Sequence, residues 1–131
     1  MNPKEAPRYE ALLGKIGQQV FDESDGAERI FMYAKVERGA ISVGAFAFVG
    51  PKKPLKYTNP SDHLIDLCYE LWEMMDREKQ HWALMCYNLD GERMSIDFLR
   101  KTEFDAKKQE MALRDELLQK YLNTNDVNYN T

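Results

Sequence analysis

Apolar positions along the chain follow two periodicities, and the points where one gives way to the other mark out the elements. In Tyr9–Phe21, the residues Tyr9, Leu12, Leu13, Ile16 and Val20 recur at three- and four-residue spacing, which predicts a helix with one buried stripe. Gly14 and Gly17 interrupt it, each weakening a helix by up to ~1 kcal/mol relative to alanine. Asp22-Glu23-Ser24-Asp25-Gly26 then reads as a solvated turn, since its acidic spacing is wrong for a calcium loop. From Arg29 the period changes to two. Ile30, Met32, Ala34 and Val36 alternate with Phe31, Tyr33 and Lys35, as on a strand. Arg38-Gly39 supplies a tight turn, and Ala40–Val49 returns with both faces largely apolar. Such a strand is central, or is covered on one side and open to a partner on the other. Gly50–Pro54 is a loop by its prolines, and Leu55–Thr58 predicts a short edge strand.

The helical period resumes after Asn59, a suitable N-cap, with Pro60 at the first helical position and Asp62 in the first turn. Leu64, Leu67, Cys68, Leu71, Met74 and Met75 form the buried stripe, with Ile65 and Trp72 at its margin. Opposite them Asp62, Asp66, Glu70 and Glu73 fall within ~80° of one another at the helical 100° per residue. Tyr69 and Asp76 join that strip. Next, Gln80–Leu89 and Glu92–Leu99 alternate around Asp90-Gly91, which predicts a two-residue hairpin turn. The implied register sets Tyr87 opposite Met94, Met85 opposite Ile96 and Ala83 opposite Phe98, with Trp82, Leu84 and Cys86 on the other face beside Ser95 and Asp97.

Thr102-Glu103-Phe104-Asp105 resembles a capping sequence ahead of a third helix over Phe104–Leu122. Met111, Leu117, Leu118, Tyr121 and Leu122 are its stripe, and the polar Asn123–Thr131 is expected to fray. The order α-β-β-(β)-α-β-β-α, built on hairpins, predicts an α+β fold. It is an antiparallel sheet of four to five strands with helices packed on it, in a single domain over residues 1–131.

Composition narrows the function classes. The chain has 131 residues, 44% of them hydrophobic and 31% charged, which is globular rather than disordered. Eighteen Lys and Arg against 22 Asp and Glu leave a net charge of −4, unlike a domain held to nucleic acid by phosphate contacts. The basic loop Lys52-Lys53 with Lys56 beside Tyr57, and the pair Arg100-Lys101, are the available cations for single-strand stacking; neither brings a recognition-sheet motif. The longest apolar run, Val43–Val49, is far short of the ~20 residues a membrane helix needs. Met1–Arg8 carries Pro3, Lys4, Glu5 and Pro7 with no apolar stretch after them, so no signal peptide is expected. Cys68 and Cys86 are embedded in apolar pattern and do not suggest a disulfide framework. A cytoplasmic domain is expected, with no membrane and no direct nucleic-acid partner.

Catalytic parts do not assemble on this scheme. His81 shares the parity of Ala83 and Met85, away from Ser95 and Asp97, so the three form no triad. Cys68 belongs to the apolar stripe, and His63 lies where polar and apolar arcs meet, the position of a half-buried structural histidine. No C-x-x-C, H-E-x-x-H or phosphate-loop pattern occurs. The expectation is a protein that is not an enzyme, with no cofactor and no metal.

The acidic strip Asp62, Asp66, Glu70 and Glu73 with Tyr69 is then the candidate partner-binding surface, offering fixed carboxylates to a basic partner. Several segments carry a family likeness: Ile30-Phe31-Met32-Tyr33-Ala34-Lys35-Val36, the Leu-rich Leu64–Met75, Trp82–Leu89, Gly91, Met94-Ser95-Ile96-Asp97-Phe98 and Lys120-Tyr121-Leu122. Over most of Leu12–Leu122 the chain resembles the YezG-like family of bacterial antitoxin or immunity proteins. It departs from that pattern at Leu99-Arg100-Lys101, in place of an aromatic and acidic stretch, and has no tryptophan ahead of Tyr121. The resemblance implies a cytoplasmic protein that protects its producer by binding a cognate polymorphic toxin domain, such as a basic nuclease used in contact-dependent inhibition. It would occlude the toxin's active site or an exosite. The residues leave two alternatives open: an oligomeric adaptor using the two-faced Ala40–Val49 strand, and a small enzyme whose residues converge in some other register.

Overall fold

The structure is a computed structural model and describes residues 6–51 and 53–129. Along the chain run α1 (Ala6–Glu23), β1 (Arg29–Glu37), β2 (Ala40–Ala47), β3 (Leu55–Thr58), α2 (Asp62–Arg77), β4 (Leu84–Asp90) and β5 (Arg93–Leu99). A 3-10 turn at Lys101–Glu103, α3 (Glu110–Leu122) and β6 (Val127–Asn128) follow. The fold is α+β. Its sheet has six strands in the order β5-β4-β1-β2-β3-β6, antiparallel throughout except where β6 runs parallel to β3.

The alternation in β1 decides the layering. Ile30, Met32, Ala34 and Val36 join a core with Tyr9, Leu12, Leu13, Ile16 and Val20 of α1 and with Leu64, Leu67, Leu71 and Met75 of α2. Phe31 and Tyr33 point the other way, into a second core with Leu113, Leu117, Leu118 and Leu122 of α3. The sheet is thus the middle of three layers. β2 is buried from Val43 to Ala47, with Val43, Ala45 and Ala47 in the first core and Phe46 in the second. Both of its apolar faces are covered over Val43–Ala47.

Turn chemistry fixes both hairpins. Glu37 pairs with Ala40 across Arg38 and Gly39, whose φ values of 51° and 79° are those of a type I′ turn. In the second hairpin Asp90 pairs with Arg93, so the loop is Gly91-Glu92 rather than Asp90-Gly91. Gly91 takes the positive φ of 62° at the first loop position, where a type II′ turn requires it. Tyr87 therefore faces Ile96 and Met85 faces Phe98. A slip of two residues leaves every strand side chain on its expected face, because the period is two. Trp82 is the exception. The strand begins only at Leu84, so the alternation does not reach back to it, and its indole lies in the first core with Met85 and Tyr87.

Two helix boundaries and the tail also differ from expectation. Ser61, not Asn59, caps α2: its Oγ accepts from the Leu64 amide at 3.1 Å. Glu23, at the end of α1, holds that cap by accepting from the Ser61 amide at 2.8 Å and hydroxyl at 2.6 Å. Burial opposes ionisation of Glu23, but the hydrogen bonds from Ser61 and Gln19 outweigh it and keep the carboxyl below its ordinary range. α3 starts at Glu110, not Phe104, because Asp105 draws the Lys107 amide to its side chain at 3.0 Å and closes a turn instead. Leu113 replaces Met111 in its buried stripe, and Met111 is 50% exposed. The tail read as frayed carries β6, where Leu55 pairs with Val127, so β3 is not the sheet edge.

Candidate partner-binding surface

The partner-binding candidates all lie on α2. Its far side, Leu64, Leu67, Cys68, Leu71 and Met75, is buried, so geometry turns Asp62, Asp66, Glu70 and Glu73 outward, and all four are exposed. Among the described residues none of these carboxylates has an ion-pair partner. Asp76, at the end of the strip, is engaged by His81 Nδ1 at 2.6 Å. Tyr69 is half-buried because its ring stacks on Trp72, with centroids 5.7 Å apart and planes 30° apart.

Trp72 extends the surface beyond what the helix alone suggests. Its Nε1 donates to the Trp82 carbonyl at 2.9 Å, and Trp82 packs on Phe98 at 5.5 Å between centroids while donating to the Met75 sulfur at 3.3 Å. The two indoles line an open cleft of about 510 Å³, with Val36 and Ala83, and with Arg38, Arg100 and Lys101. Sequence reasoning missed this cleft. Its cations come from the β1–β2 turn and the residues after β5, which meet only because β1 pairs with β4 and β4 with β5. The signal available was topological: in that strand order the first hairpin turn and the end of β5 share one end of the sheet.

The other candidates stand apart from one another. His63 is exposed rather than half-buried. Asp97, opposite Cys86 in the hairpin, accepts from the Tyr121 hydroxyl at 2.7 Å, and Ser95 is exposed opposite Asn88. Lys56 pairs with Asp25 at 2.8 Å and Tyr57 packs tilted against Phe46, while Lys52 lies outside the described residues. Among the described residues no three His, Cys, Asp or Glu side chains converge on a metal position. Nor is any described helix long and apolar enough to cross a membrane.

Both cysteines are free and fully buried, and burial pushes the Cys68 thiol up to about 12 and the Cys86 thiol to about 11. A raised acid holds its proton in the folded state above the pH where the unfolded thiol, near 8.5, releases it. Their stability contribution is therefore complete below about pH 8.5 and lost as pH rises through 11 to 12. Two results are expected. Native protein at pH 8 will leave a thiol reagent unreacted until denaturant is added, and the urea midpoint will fall between pH 8.5 and 10.5. Rapid titration of both thiols without denaturant would contradict the burial.

No family model matches the chain, and no curated protein matches it.

Proposed function

We propose that this chain is an immunity protein that binds a basic toxin domain, such as a nuclease, and neutralises it by occlusion. The supporting observation is the row of four exposed carboxylates on one face of α2, without ion-pair partners among the described residues and flanked by the Tyr69–Trp72 stack. An exposed strip of one sign raises the encounter rate with an oppositely charged partner. The neighbouring aromatics supply the large, rigid side chains on which binding energy concentrates in interfaces. A nuclease cleft lined by Lys and Arg for phosphate is a surface of opposite sign, and a standard interface of roughly 1,600 Å² would cover it. The role asks the chain to hold position and exclude substrate, and assigns it no reaction of its own.

The test is co-expression with the products of the neighbouring open reading frames, followed by kinetics on the purified pair that forms. Wild type is expected to rescue growth. Asp66→Lys with Glu70→Lys is expected to slow association by roughly tenfold or more at low salt and to flatten its salt dependence. Both residues are exposed and unpaired among the described residues, so thermal melting should be unchanged. An unaltered association rate would reject the strip as the contact, and failure of wild type to protect would reject the role.

A further inference from the structure

The cleft at the end of the sheet carries charge opposite to that of the α2 strip. In a chain of net charge −4, Arg38, Arg100 and Lys101 surround it, and none of the three has an ion-pair partner among the described residues. Of the neighbouring carboxylates, Asp76 contacts His81, itself a lining residue, at 2.6 Å, and Glu103 accepts from the Arg100 amide at 3.0 Å. Three cations at one opening favour a multiply charged anion. Two of them carry guanidinium forks, whose geometry matches phosphate oxygens. The wall is mainly apolar, and its part-exposed indole is Trp72, with the 4% exposed Trp82 behind it in the core. An indole under a cationic rim suits a ligand that carries a flat ring and a phosphate together. The volume of about 510 Å³ lies within the roughly 300–1,000 Å³ of small-ligand sites.

We propose that this cleft binds a nucleoside phosphate, its base against the Trp72 indole and its phosphate held by Arg38, Arg100 and Lys101. The site stands on different residues from the acidic strip and does not depend on the toxin-binding reading. The protein's two tryptophans are both in the cleft wall, so intrinsic fluorescence reports on it directly.

The experiment is titration of the full chain with AMP, GMP, CMP and UMP, with inorganic phosphate, adenosine and a single-stranded oligothymidylate as comparisons. At least one mononucleotide is expected to quench tryptophan fluorescence saturably, with inorganic phosphate competing but not quenching. Arg100→Gln with Lys101→Gln is expected to weaken binding by roughly tenfold or more, the loss of charge-assisted hydrogen bonds, without moving the melting temperature. Three results would overturn the proposal: no saturable quenching by any mononucleotide, equal affinity of the double variant, or inorganic phosphate binding as tightly as the best nucleotide. An oligothymidylate that binds more tightly than every mononucleotide would overturn the assignment to a free nucleotide.

Discussion

Gly44→Ala is expected to destabilise the protein by about 3 kcal/mol, the upper part of the range for overpacking a core. Gly44 pairs with Tyr33 across β1 and β2, and a Cβ built on it would lie 2.5 Å from Tyr33 Cε1 and 3.1 Å from Cζ. The ring has nowhere to go. It is fully buried, its hydroxyl accepts from Arg114 Nε at 2.7 Å, and that hydroxyl donates to Glu110 at 3.0 Å. Moving it aside would break both bonds and force an off-rotamer side chain, at about 1 kcal/mol for the rotamer alone. Restricting the unfolded backbone gives back up to about 1 kcal/mol, too little to reverse the sign. Urea unfolding should show a lower midpoint at unchanged slope. A variant as stable as wild type would mean that the Tyr33 ring is not fixed there.

Arg114→Ala is expected to cost about 2–3 kcal/mol through a different route. Its guanidinium carbon lies 5.0 Å from the Tyr57 ring centroid, 5.7 Å from Tyr33, 5.8 Å from Phe46 and 5.9 Å from Tyr129. Burial opposes the charge, but the hydrogen bond and Coulomb attraction to Tyr33 outweigh it, so the guanidinium is held more firmly protonated than usual. One cation thus ties together α3, three strands' worth of aromatic rings and the tail that follows β6. Arg114→Lys should recover little, because an ammonium offers neither the planar face nor the fork. Denaturation of both variants, with limited proteolysis after Asn123 as the local readout, separates the cases. A lysine variant equal to wild type would reduce the cluster to a matter of charge alone.

Both residues sit where sequence patterning is weakest. The first hairpin, the α1 stripe and the α2 stripe were legible because each rests on a local period repeated four or more times. Gly44 gave no such signal, since the ring that needs its bare backbone lies on the neighbouring strand. α3 was legible only in part: Arg114 interrupts its apolar stripe, and Met111 and Leu113 could not be ranked without knowing which side faces the sheet. β6 has two residues and one partner strand, Leu55–Thr58, far away in sequence, so no periodicity announces it. At the candidate surface the acidic strip needed only helical geometry, whereas the cleft needed the order of three strands. What repeats within one element was readable, and what two or three elements assemble together was not.

β1 carries one more consequence. It lies between β2 and β4, and successive residues along it belong alternately to the two cores. Loosening the α3 layer uncovers Phe31 and Tyr33, and loosening the α1–α2 layer uncovers Ile30 and Met32, on the same backbone. Melting either half bares one face of a strand that the other half packs on, so the two cores are expected to fail together in a single transition.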